Sequence, residues 1–552
     1  MTATAQRSHV IARVEHLRAW SAAAIVICAI GALILFVTAP HHGEFWWSDA
    51  PRHALNGVFL SDLISAWPSD PKSWAMQYYL KYPALTILFY PPLFYIICAP
   101  VFLLTGASHA AALAVAEAHY FALALGMFFL TRRWVGAPTA IAVAISIMAA
   151  PGVALWGRQV MLEVPSLAFL TWSMVALTRY LESRRNLLLY VSALLLLAAV
   201  YTKISAAFVL PVFALAILTE RKMLALRDKH VWLTALLVAV GLVPIAILTV
   251  KFGAANVQSI VGVADSRVSR TSFAGWVWYA RQLPELVGWP LLTLAALTPI
   301  AALFGRMQKN LSRSEVVLLV SWFAFGYLAL SLIDLKEARH AVLIVPPILV
   351  SAALSTSIPL LPRKLAQAIF FVTVAGTGLY TLLFAPVPSV DGYREAAQWI
   401  AQHAPKNAIV VFSGKRDGSF IFNMRTFSNR QDISTIRIDK LLLVVAVRRE
   451  IGVSEKALSQ AEITKMVDDD GVSYVVAQDD FWTDIPVMAR FQKALLSRHF
   501  GKVATIPVVG NVPTEDKVLH IYKNLGPLNP HPKSLQMPLA IIGQSVTGNV
   551  GK

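Results

Sequence analysis

Residues 20–39 read WSAAAIVICAIGALILFVTA, twenty positions without a charged side chain. A helix of about 20 apolar residues is long enough to cross the hydrocarbon core of a bilayer. Runs of this kind recur along the first 385 residues, and they predict a mainly α, polytopic membrane helix bundle of about eleven spans. The predicted spans are 20–39, 110–131, 139–156, 164–181, 187–202, 204–219, 231–250, 286–304, 315–333, 341–358 and 366–385.

The composition of the 552 residues points the same way. Hydrophobic residues make up 57% of the chain and charged residues only 14%, against about 25% in soluble domains. The net charge is +17, but the basic residues stand mostly in short clusters between apolar runs, as the positive-inside rule requires. The charge therefore indicates membrane topology and no nucleic-acid partner. Cys28, Cys98, His41 and His42 have neither disulfide nor metal-ligand spacing, so no metal site is predicted.

Segment 84–104 is apolar, but we do not count it as a span. Pro91, Pro92 and Pro100 interrupt a helix there and remove backbone donors. Without it, the basic pairs between spans all fall on the cytoplasmic side. These pairs are Arg132/Arg133, Arg184/Arg185, Arg221/Lys222, Arg306/Lys309 and Arg363/Lys364. The segment is therefore predicted to be a re-entrant or interfacial part of an outside loop, 40–109, which also carries a short polar helix described below.

The composition changes after residue 385 to that of a soluble domain. Helices alternate with apolar strands over 386–525, which predicts a C-terminal α/β domain on the outside. The predicted helices are 392–403, 457–469 and 485–498, and the predicted strands are 408–413, 441–447, 472–477, 503–509 and 517–523. Residues 526–552 are rich in Pro, Gly, Asn and Ser and predict a flexible tail, in which 537–542 is apolar enough to dock.

Candidate site residues begin in the outside loop, HHGEFWWSDAPRHALNGVF (41–59). Asp49, Arg52, His53 and Asn56 have the spacing i, i+3, i+4, i+7 and would share one face of a short helix. The dense set of functional groups on this face favours a site. The alternative is an interfacial helix whose polar face is simply wet.

Three later segments place ionisable residues at the outer mouths of spans: WGRQVMLEVPS (156–166), YTKIS (201–205) and DLKEARHAVLIVPP (334–347). They contribute Arg158 and Glu163, then Lys203, then Lys336 and Arg339. Ionisable groups at membrane depth indicate function, and arginine suits phosphate oxygens. Other interpretations stay open. Glu163 can be a carboxylate at a helix start, Lys203 can snorkel, and adjacent acidic residues can neutralise the last two cations.

These segments follow one another in an order that resembles the GT-C superfamily of membrane glycosyltransferases. The resemblance covers about residues 20–350 and is closest to the branch with protein O-mannosyltransferases and bacterial lipid A aminoarabinose transferases (glycosyltransferase families 39 and 83). It rests on the motifs SDAPRHA (48–54), YPPLFY (90–95), GRQVMLEVPSLAF (157–169), YTKISAAFVLP (201–211) and ARHAVLIVPP (338–347).

The resemblance implies an inverting hexosyl- or pentosyltransferase that uses a polyprenyl-phosphate-linked sugar. The acceptor would be a lipid, glycan or protein of the cell envelope, modified on the outer face of a bacterial inner membrane. Asp49 would be the catalytic base, and a divalent ion is left open. The residues implied to bind substrate are Arg52, His53, Arg158, Glu163, Lys203, Lys336 and Arg339. Two positions depart from the family pattern: Ala50 stands where relatives often have a second acid, and Glu163 where they often have Asp.

Two other functions remain candidates, a lipid or solute transporter or flippase, and a non-catalytic membrane assembly factor. A transporter is expected to carry ionisable groups near the centres of its helices, whereas here they cluster at the outer mouths. The sequence therefore favours the glycosyltransferase.

Overall fold

The computed structural model describes residues 3–261, 268–305, 311–445, 449, 452–529, 534–539 and 543–548. The chain divides into two compact units. We call Met1–Ala39, Ala116–Ile245 and Ala264–Pro386 the bundle unit. We call Pro40–Val115, Ala246–Val263 and Val387–Lys552 the loop–domain unit.

Helices account for nearly all regular structure in the first 386 residues. They are α1 (Ala3–Val37), α2 (Asp49–Ala66), α3 (Pro71–Lys81), α4 (Leu93–Thr105), α5 (His109–Val135), α6 (Ala137–Ala149), α7 (Pro151–Gly157), α8 (Glu163–Ser183), α9 (Asn186–Thr202), α10 (Leu210–Arg221), α11 (Lys229–Phe252), α12 (Ala254–Val261), α13 (Phe273–Val287), α14 (Trp289–Leu303), α15 (Arg313–Ser331), α16 (Val345–Leu354) and α17 (Arg363–Phe384). Short 3₁₀ helices precede α10 (Ile204–Val209) and α16 (Ala338–Ile344).

Within the described residues, seven helices are long and apolar enough to cross a membrane, or up to nine if each of two bent pairs is one span. The pairs are α6 with α7, bent by 64°, and α13 with α14, bent by 119°. Proline 151 and the left-handed Gly288, with φ of 89°, explain the two breaks. The predicted helix-bundle class is confirmed, so the protein is a multi-pass membrane protein. The number of eleven spans stays a prediction.

The bundle unit packs through small and polar side chains. Ser173 of α8 and Ser192 of α9 exchange hydrogen bonds, each hydroxyl donating to the other's carbonyl at 2.6 and 2.8 Å. A Cβ at Gly326 of α15 would stand 2.2 Å from the Ile344 side chain, so only glycine allows that approach. Close contacts of this kind drive helix association where no hydrophobic effect operates.

In the loop–domain unit, the two ends of the outside loop, at residues 43 and 109, lie next to each other. The backbone N–H of Gly43 donates to His109 Nδ1 at 3.1 Å. Between them, α4 has only 13 residues, about 20 Å of helix against a hydrocarbon core of about 30 Å. The re-entrant or interfacial course of 84–104 stays a prediction.

The α/β domain of the same unit holds a five-stranded mixed sheet with strand order β3-β2-β6-β9-β7. Strands β2, β3 and β6 are parallel, and β9 and β7 continue the sheet antiparallel. The strands are β1 (Val390–Asp391), β2 (Ile409–Ser413), β3 (Ser434–Arg437), β4 (Leu443–Val445), β5 (Val453–Glu455), β6 (Val472–Ala477), β7 (Phe500–Pro507), β8 (Val509–Gly510), β9 (Val518–Asn524), β10 (Leu535–Leu539) and β11 (Gln544–Gly548). The helices are α18 (Tyr393–His403), α19 (Asp417–Thr426), α20 (Ile438–Leu442), α21 (Gln460–Asp469) and α22 (Pro486–Leu495).

Strand β3 of the main sheet was not predicted from the sequence, and three further parts of this domain differ from the expectation. Helix α19 was not predicted, because burial of nearly its whole length from Asp417 to Met424 hides any amphipathic pattern. The predicted strand 441–447 begins as the end of α20 and continues as β4, which pairs with β5 outside the main sheet; residues 446 and 447 lie outside the described residues. The expected flexible tail contains the hairpin β10–β11, anchored by the fully buried Met537.

Candidate active site

Helix α2 of the loop–domain unit begins at Asp49, the proposed base. A carboxylate in the first turn of a helix is stabilised by the positive end of the helix dipole. The side chain is partly exposed, and the hydroxyl of Tyr90 approaches its Oδ2 at 3.4 Å. Asp49 is therefore fixed at a helix start and still reachable from outside the protein.

The face of α2 predicted to be functional packs against the proline-rich segment of the same loop. His53 Nδ1 lies 2.8 Å from the hydroxyl of Tyr95, and the Asn56 amide both donates to the hydroxyl and accepts from the backbone N–H of Thr86, at 3.0 and 2.9 Å. His53 and Asn56 are buried, so these two side chains do not form a wet polar face. Tyr90 and Tyr95 are the two ends of YPPLFY, which thus lies beside SDAPRHA.

The third polar residue of this face, Arg52, turns to the α/β domain. Its Nη2 donates to both carboxylate oxygens of Asp417 at 2.8 Å, and its Nη1 donates to the carbonyl of Ser48 at 2.7 Å. Substrate binding by Arg52 stays a prediction, because its guanidinium already has these protein partners.

In the bundle unit, three residues from distant parts of the sequence meet at one carboxylate. Glu163 begins α8 and is only 1% exposed. Lys203, between α9 and the 3₁₀ helix that follows it, makes a direct ion pair with Glu163 Oε1. Arg339, on the 3₁₀ helix before α16, brings its Nε to 3.6 Å from the same oxygen. We call Glu163, Lys203 and Arg339 the buried ion cluster.

The surroundings of the buried ion cluster hold further charge. Glu337 Oε2 accepts from Arg339 Nε at 2.5 Å and lies 3.8 Å from His340 Nε2. Two carboxylates, of Glu163 and Glu337, therefore face two basic side chains, of Lys203 and Arg339, as buried charges require. Among the described residues, the second oxygen of Glu163 has no hydrogen-bond partner.

Lys336 lies at the end of α15 in the bundle unit. Its ammonium donates to the carbonyls of Leu330 and Ser331 at 3.2 and 2.6 Å, which satisfies the C-terminus of that helix. It also lies 5.5 Å from the ring centre of Tyr279. Of the two acids that could neutralise Lys336 and Arg339, Asp334 accepts from the backbone N–H of Arg270 at 2.8 Å, and Glu337 pairs with Arg339.

Arg158 ends α7 and is 2% exposed. Its Nε donates to the Ala154 carbonyl at 3.2 Å and its Nη2 to the Ala385 carbonyl at 2.8 Å. Arg158 is thus held by backbone carbonyls, and its role toward substrate stays a prediction.

Sequence reasoning missed two buried polar residues of the bundle unit. Glu117 is 4% exposed, and within the described ranges neither of its carboxylate oxygens has a hydrogen-bond partner. An acid inside an apolar run is itself a signal that could have found it. Tyr279, on α13, is fully buried, and its hydroxyl also has no partner in the described part of the chain. Tyr279 lies in a segment between predicted spans, where a tyrosine does not by itself indicate a functional residue.

Metal binding was left open by the sequence. Among the residues that the structure describes, no group of three or more His, Cys, Asp or Glu side chains is placed to hold a metal ion.

Comparison with known proteins finds a similarity in sequence over part of the chain and a similarity in fold over most of it. A family model described as dolichyl-phosphate-mannose-protein mannosyltransferase matches residues 90–248. No protein of curated function matches the sequence.

Solved structures match over most of the chain. ArnT from Cupriavidus metallidurans bound to undecaprenyl phosphate is 13% identical with a TM-score of 0.58, over 92% of this chain and 99% of that one. The oligosaccharyltransferase of Archaeoglobus fulgidus in the apo form is 13% identical with a TM-score of 0.55, over 90% of this chain and 75% of that one. The same archaeal enzyme, AglB, in complex with an inhibitory peptide and a dolichol-phosphate is 12% identical with a TM-score of 0.50, over 90% of this chain and 76% of that one.

The expected resemblance is thereby confirmed at the level of the fold. The chain has the fold of the GT-C membrane glycosyltransferases, and over residues 90–248 it resembles the dolichyl-phosphate-mannose-protein mannosyltransferases.

Proposed function

We propose that this protein is an inverting glycosyltransferase that moves a sugar from a polyprenyl-phosphate donor to an acceptor. One observation carries the proposal. Glu163, Lys203 and Arg339 come from three motifs far apart in the sequence and meet as ions within a membrane helix bundle. Burying ions in a bundle is costly, so such a group is retained for a function. The solved relatives with undecaprenyl phosphate and dolichol-phosphate support a lipid phosphate as the ligand.

The two cations of the buried ion cluster suit the leaving group of this reaction. When the bond between the sugar and the lipid phosphate breaks, negative charge grows on the phosphate oxygens. Preorganised cations at that point stabilise the transition state, and the guanidinium of Arg339 matches phosphate geometry. Glu163 would hold Lys203 and Arg339 in place when no donor is bound. Lys336 and Arg158 are further proposed donor contacts.

Asp49 is the proposed general base. It would take the proton of an acceptor hydroxyl or amine as that atom attacks the anomeric carbon. The new bond forms on the face opposite the departing phosphate, so the configuration inverts. General bases contribute about 10²- to 10⁴-fold to such rates. The hydrogen bonds of His53 and Asn56 hold α2 in place. A general base has to be held in a defined position relative to the acceptor.

The finer assignments belong to the same proposal. The basic residues between spans support an active site and α/β domain on the outer face of a bacterial inner membrane. The acceptor would be a lipid, glycan or protein of the cell envelope, and the donor sugar a hexose or pentose.

Binding of a lipid phosphate, the leaving group of the proposed reaction, gives the first test. Undecaprenyl phosphate should raise the unfolding temperature of the purified protein in detergent, by mass action on the folded state. Undecaprenol, which has the same chain without the phosphate, should give no such rise. An equal rise with both lipids would contradict the phosphate site.

Product formation gives the second test and separates an enzyme from a transporter. Envelope lipids and proteins from cells with and without the protein are compared by mass spectrometry. The proposal predicts a covalently attached sugar that disappears without the protein and in the Asp49→Asn variant. A transporter or flippase would instead change where a lipid-linked sugar accumulates, with no glycosidic product that depends on Asp49.

A further inference from the structure

Helix α19 of the α/β domain runs beside the loop helix α2, and the two are joined near the start of α2. Asp417, the first residue of α19, accepts two hydrogen bonds of 2.8 Å from Arg52. Arg52 in turn donates to the carbonyl of Ser48, the residue before Asp49. A direct chain of bonds therefore leads from α19 to the helix turn that carries the proposed base.

The Asp417 end of this contact is anchored in the central sheet. Arg437, at the end of β3, lies 2.8 Å from Asp417 Oδ2 and donates to both oxygens of Asp439 at 3.0 and 2.5 Å. Burial alone raises the pKa of Asp417, but the charges of Arg437 and Arg52 outweigh it and hold the pKa below its usual range. Asp417 is thus a charged anchor between two arginines.

A second ion pair joins the other ends of the same two helices. Arg425 donates to both carboxylate oxygens of Asp62 at 2.9 and 2.5 Å, and the hydroxyl of Tyr78 donates to Asp62 at 2.8 Å. Residues 52 and 62 are about 15 Å apart along a helix. Helix α2 is therefore fastened at two separate points, which fixes its direction as well as its position.

Between these ends, backbone approaches backbone. A Cβ at Gly418 would stand 3.1 Å from Pro51 Cγ, 3.4 Å from Arg52 Cγ and 3.4 Å from the Ser48 carbonyl oxygen. The buried Asn423 donates to the carbonyl of Gly43 at 3.1 Å. A side chain at position 418 would press on the Pro51 ring by a few tenths of an ångström, so α19 lies close to the first turn of α2.

We propose that the α/β domain positions the catalytic loop through α19, and that Asp417 is a positioning residue for Asp49. Asp417 acts through Arg52, three residues and one helical turn after Asp49. An error of about 1 Å in the position of a reacting group can cost about 100-fold in rate. The inference rests on the proposed role of Asp49, but the fastening of α2 by α19 can be tested without any activity.

The first experiment replaces Asp417 by Asn in the full-length protein. We expect faster hydrogen exchange of the backbone amides of residues 52–62 and a fall in kcat of about ten- to 100-fold, with the KM for the lipid donor changed less than about threefold. Asp432→Asn is the matched control, because Asp432 pairs with Arg430 inside the same domain and makes no hydrogen bond or ion pair to α2 within the described residues. The control should change neither quantity.

The second variant, Gly418→Ala, keeps every charge and covers the case in which Asp417→Asn does not fold. Alanine favours a helix over glycine, so α19 should be no less stable. The added Cβ presses on the first turn of α2, and kcat should fall without a loss of thermal stability.

The outcomes separate this inference from the proposed function. Unchanged hydrogen exchange, or unchanged kcat despite faster exchange, would overturn the positioning role. Full activity in Asp49→Asn would instead overturn the base, whatever the exchange data show.

Discussion

Two acids occupy the same place in their helices and very different surroundings. Asp49 is the first residue of α2 and Glu163 the first residue of α8. Both meet the positive end of a helix dipole. Asp49 is partly exposed beside the hydroxyl of Tyr90, whereas Glu163 is buried against Lys203 and close to Arg339.

The difference teaches what each acid is suited to do. A base must reach an acceptor from outside and exchange a proton, which suits the partly exposed Asp49. A carboxylate buried between cations has a structural role, because removing it leaves buried charges without a counter-ion. The two units also use their ion pairs differently. Ion pairs in the loop–domain unit fasten helices together, and the buried ion cluster of the bundle unit gathers cations at one point.

The largest expected effect is on the rate, at Asp49. Asp49→Asn removes the proton acceptor and should lower kcat by about 10²- to 10⁴-fold. Stability should change little, since a charge at a helix start contributes about 0.3–1 kcal/mol. Turnover with a polyprenyl-phosphate sugar and thermal unfolding of the same preparation measure both. Asp49→Glu keeps a carboxylate in a displaced position, so its kcat should lie between those of the unchanged protein and Asp49→Asn. If Asp49→Asn did not fold, Asp49 would be needed for stability as Glu163 is, and the contrast between the two acids would be wrong.

Glu163 should give the opposite pattern. Glu163→Gln leaves Lys203 and Arg339 without their shared carboxylate, and breaking a buried ion pair costs about 3–5 kcal/mol. The unfolding temperature should therefore drop by several degrees. Glu182→Gln on the same helix is the control. Glu182 pairs with Arg133 but is 47% exposed, so its loss should cost about 0–1 kcal/mol. Equal unfolding temperatures for the two variants would argue against the buried ion cluster.

Much of this site could be predicted from local sequence, and the rest depends on contacts that no local pattern encodes. The face of α2 followed from the spacing of four residues, and the buried ion cluster from ionisable groups at the mouths of spans. The partner of Arg52 could not be predicted, because Asp417 is 365 residues away and lies on α19, whose burial hides its helical pattern.

The fold shows the same division. Apolar run length predicted the membrane helices, and alternation predicted β2, β6, β7 and β9, because both signals are carried by consecutive residues. In the tail, docking was expected of the apolar segment 537–542, and Met537 is buried; the hairpin β10–β11 itself was missed because the tail's composition is typical of a flexible segment. Roles for the individual site residues stay predictions.

A smaller effect is expected at Tyr279 in the bundle unit. Its buried hydroxyl has no hydrogen-bond partner in the described part of the chain, so Tyr279→Phe should leave the ligand-free protein equally stable or slightly more stable. If the hydroxyl binds the donor, its loss should raise the KM for the lipid donor about five- to tenfold, which corresponds to the free energy of about one hydrogen bond. Tyr327→Phe is the control. It loses a hydrogen bond to the Trp276 carbonyl and should lower stability without changing this KM. An unchanged KM in Tyr279→Phe would remove Tyr279 from the site.

The last expected effect is a pH dependence of stability, at Lys440 of the loop–domain unit. Lys440 donates to the hydroxyl of Tyr79, and burial, followed by the charge of Arg437, lowers the pKa of Lys440 from 10.5 to about 7. Between these two pH values the unfolded chain binds a proton that the folded protein does not, so this group makes stability rise with pH. Below about pH 7 its full cost remains. The unfolding temperature measured between pH 6.5 and 9.5 should therefore rise with pH. Lys440→Met should flatten this rise, and Lys456→Met, which replaces an exposed lysine, should retain it. The same slope in both variants would mean that Lys440 keeps its proton in the folded protein and belongs with the charged anchors such as Asp417.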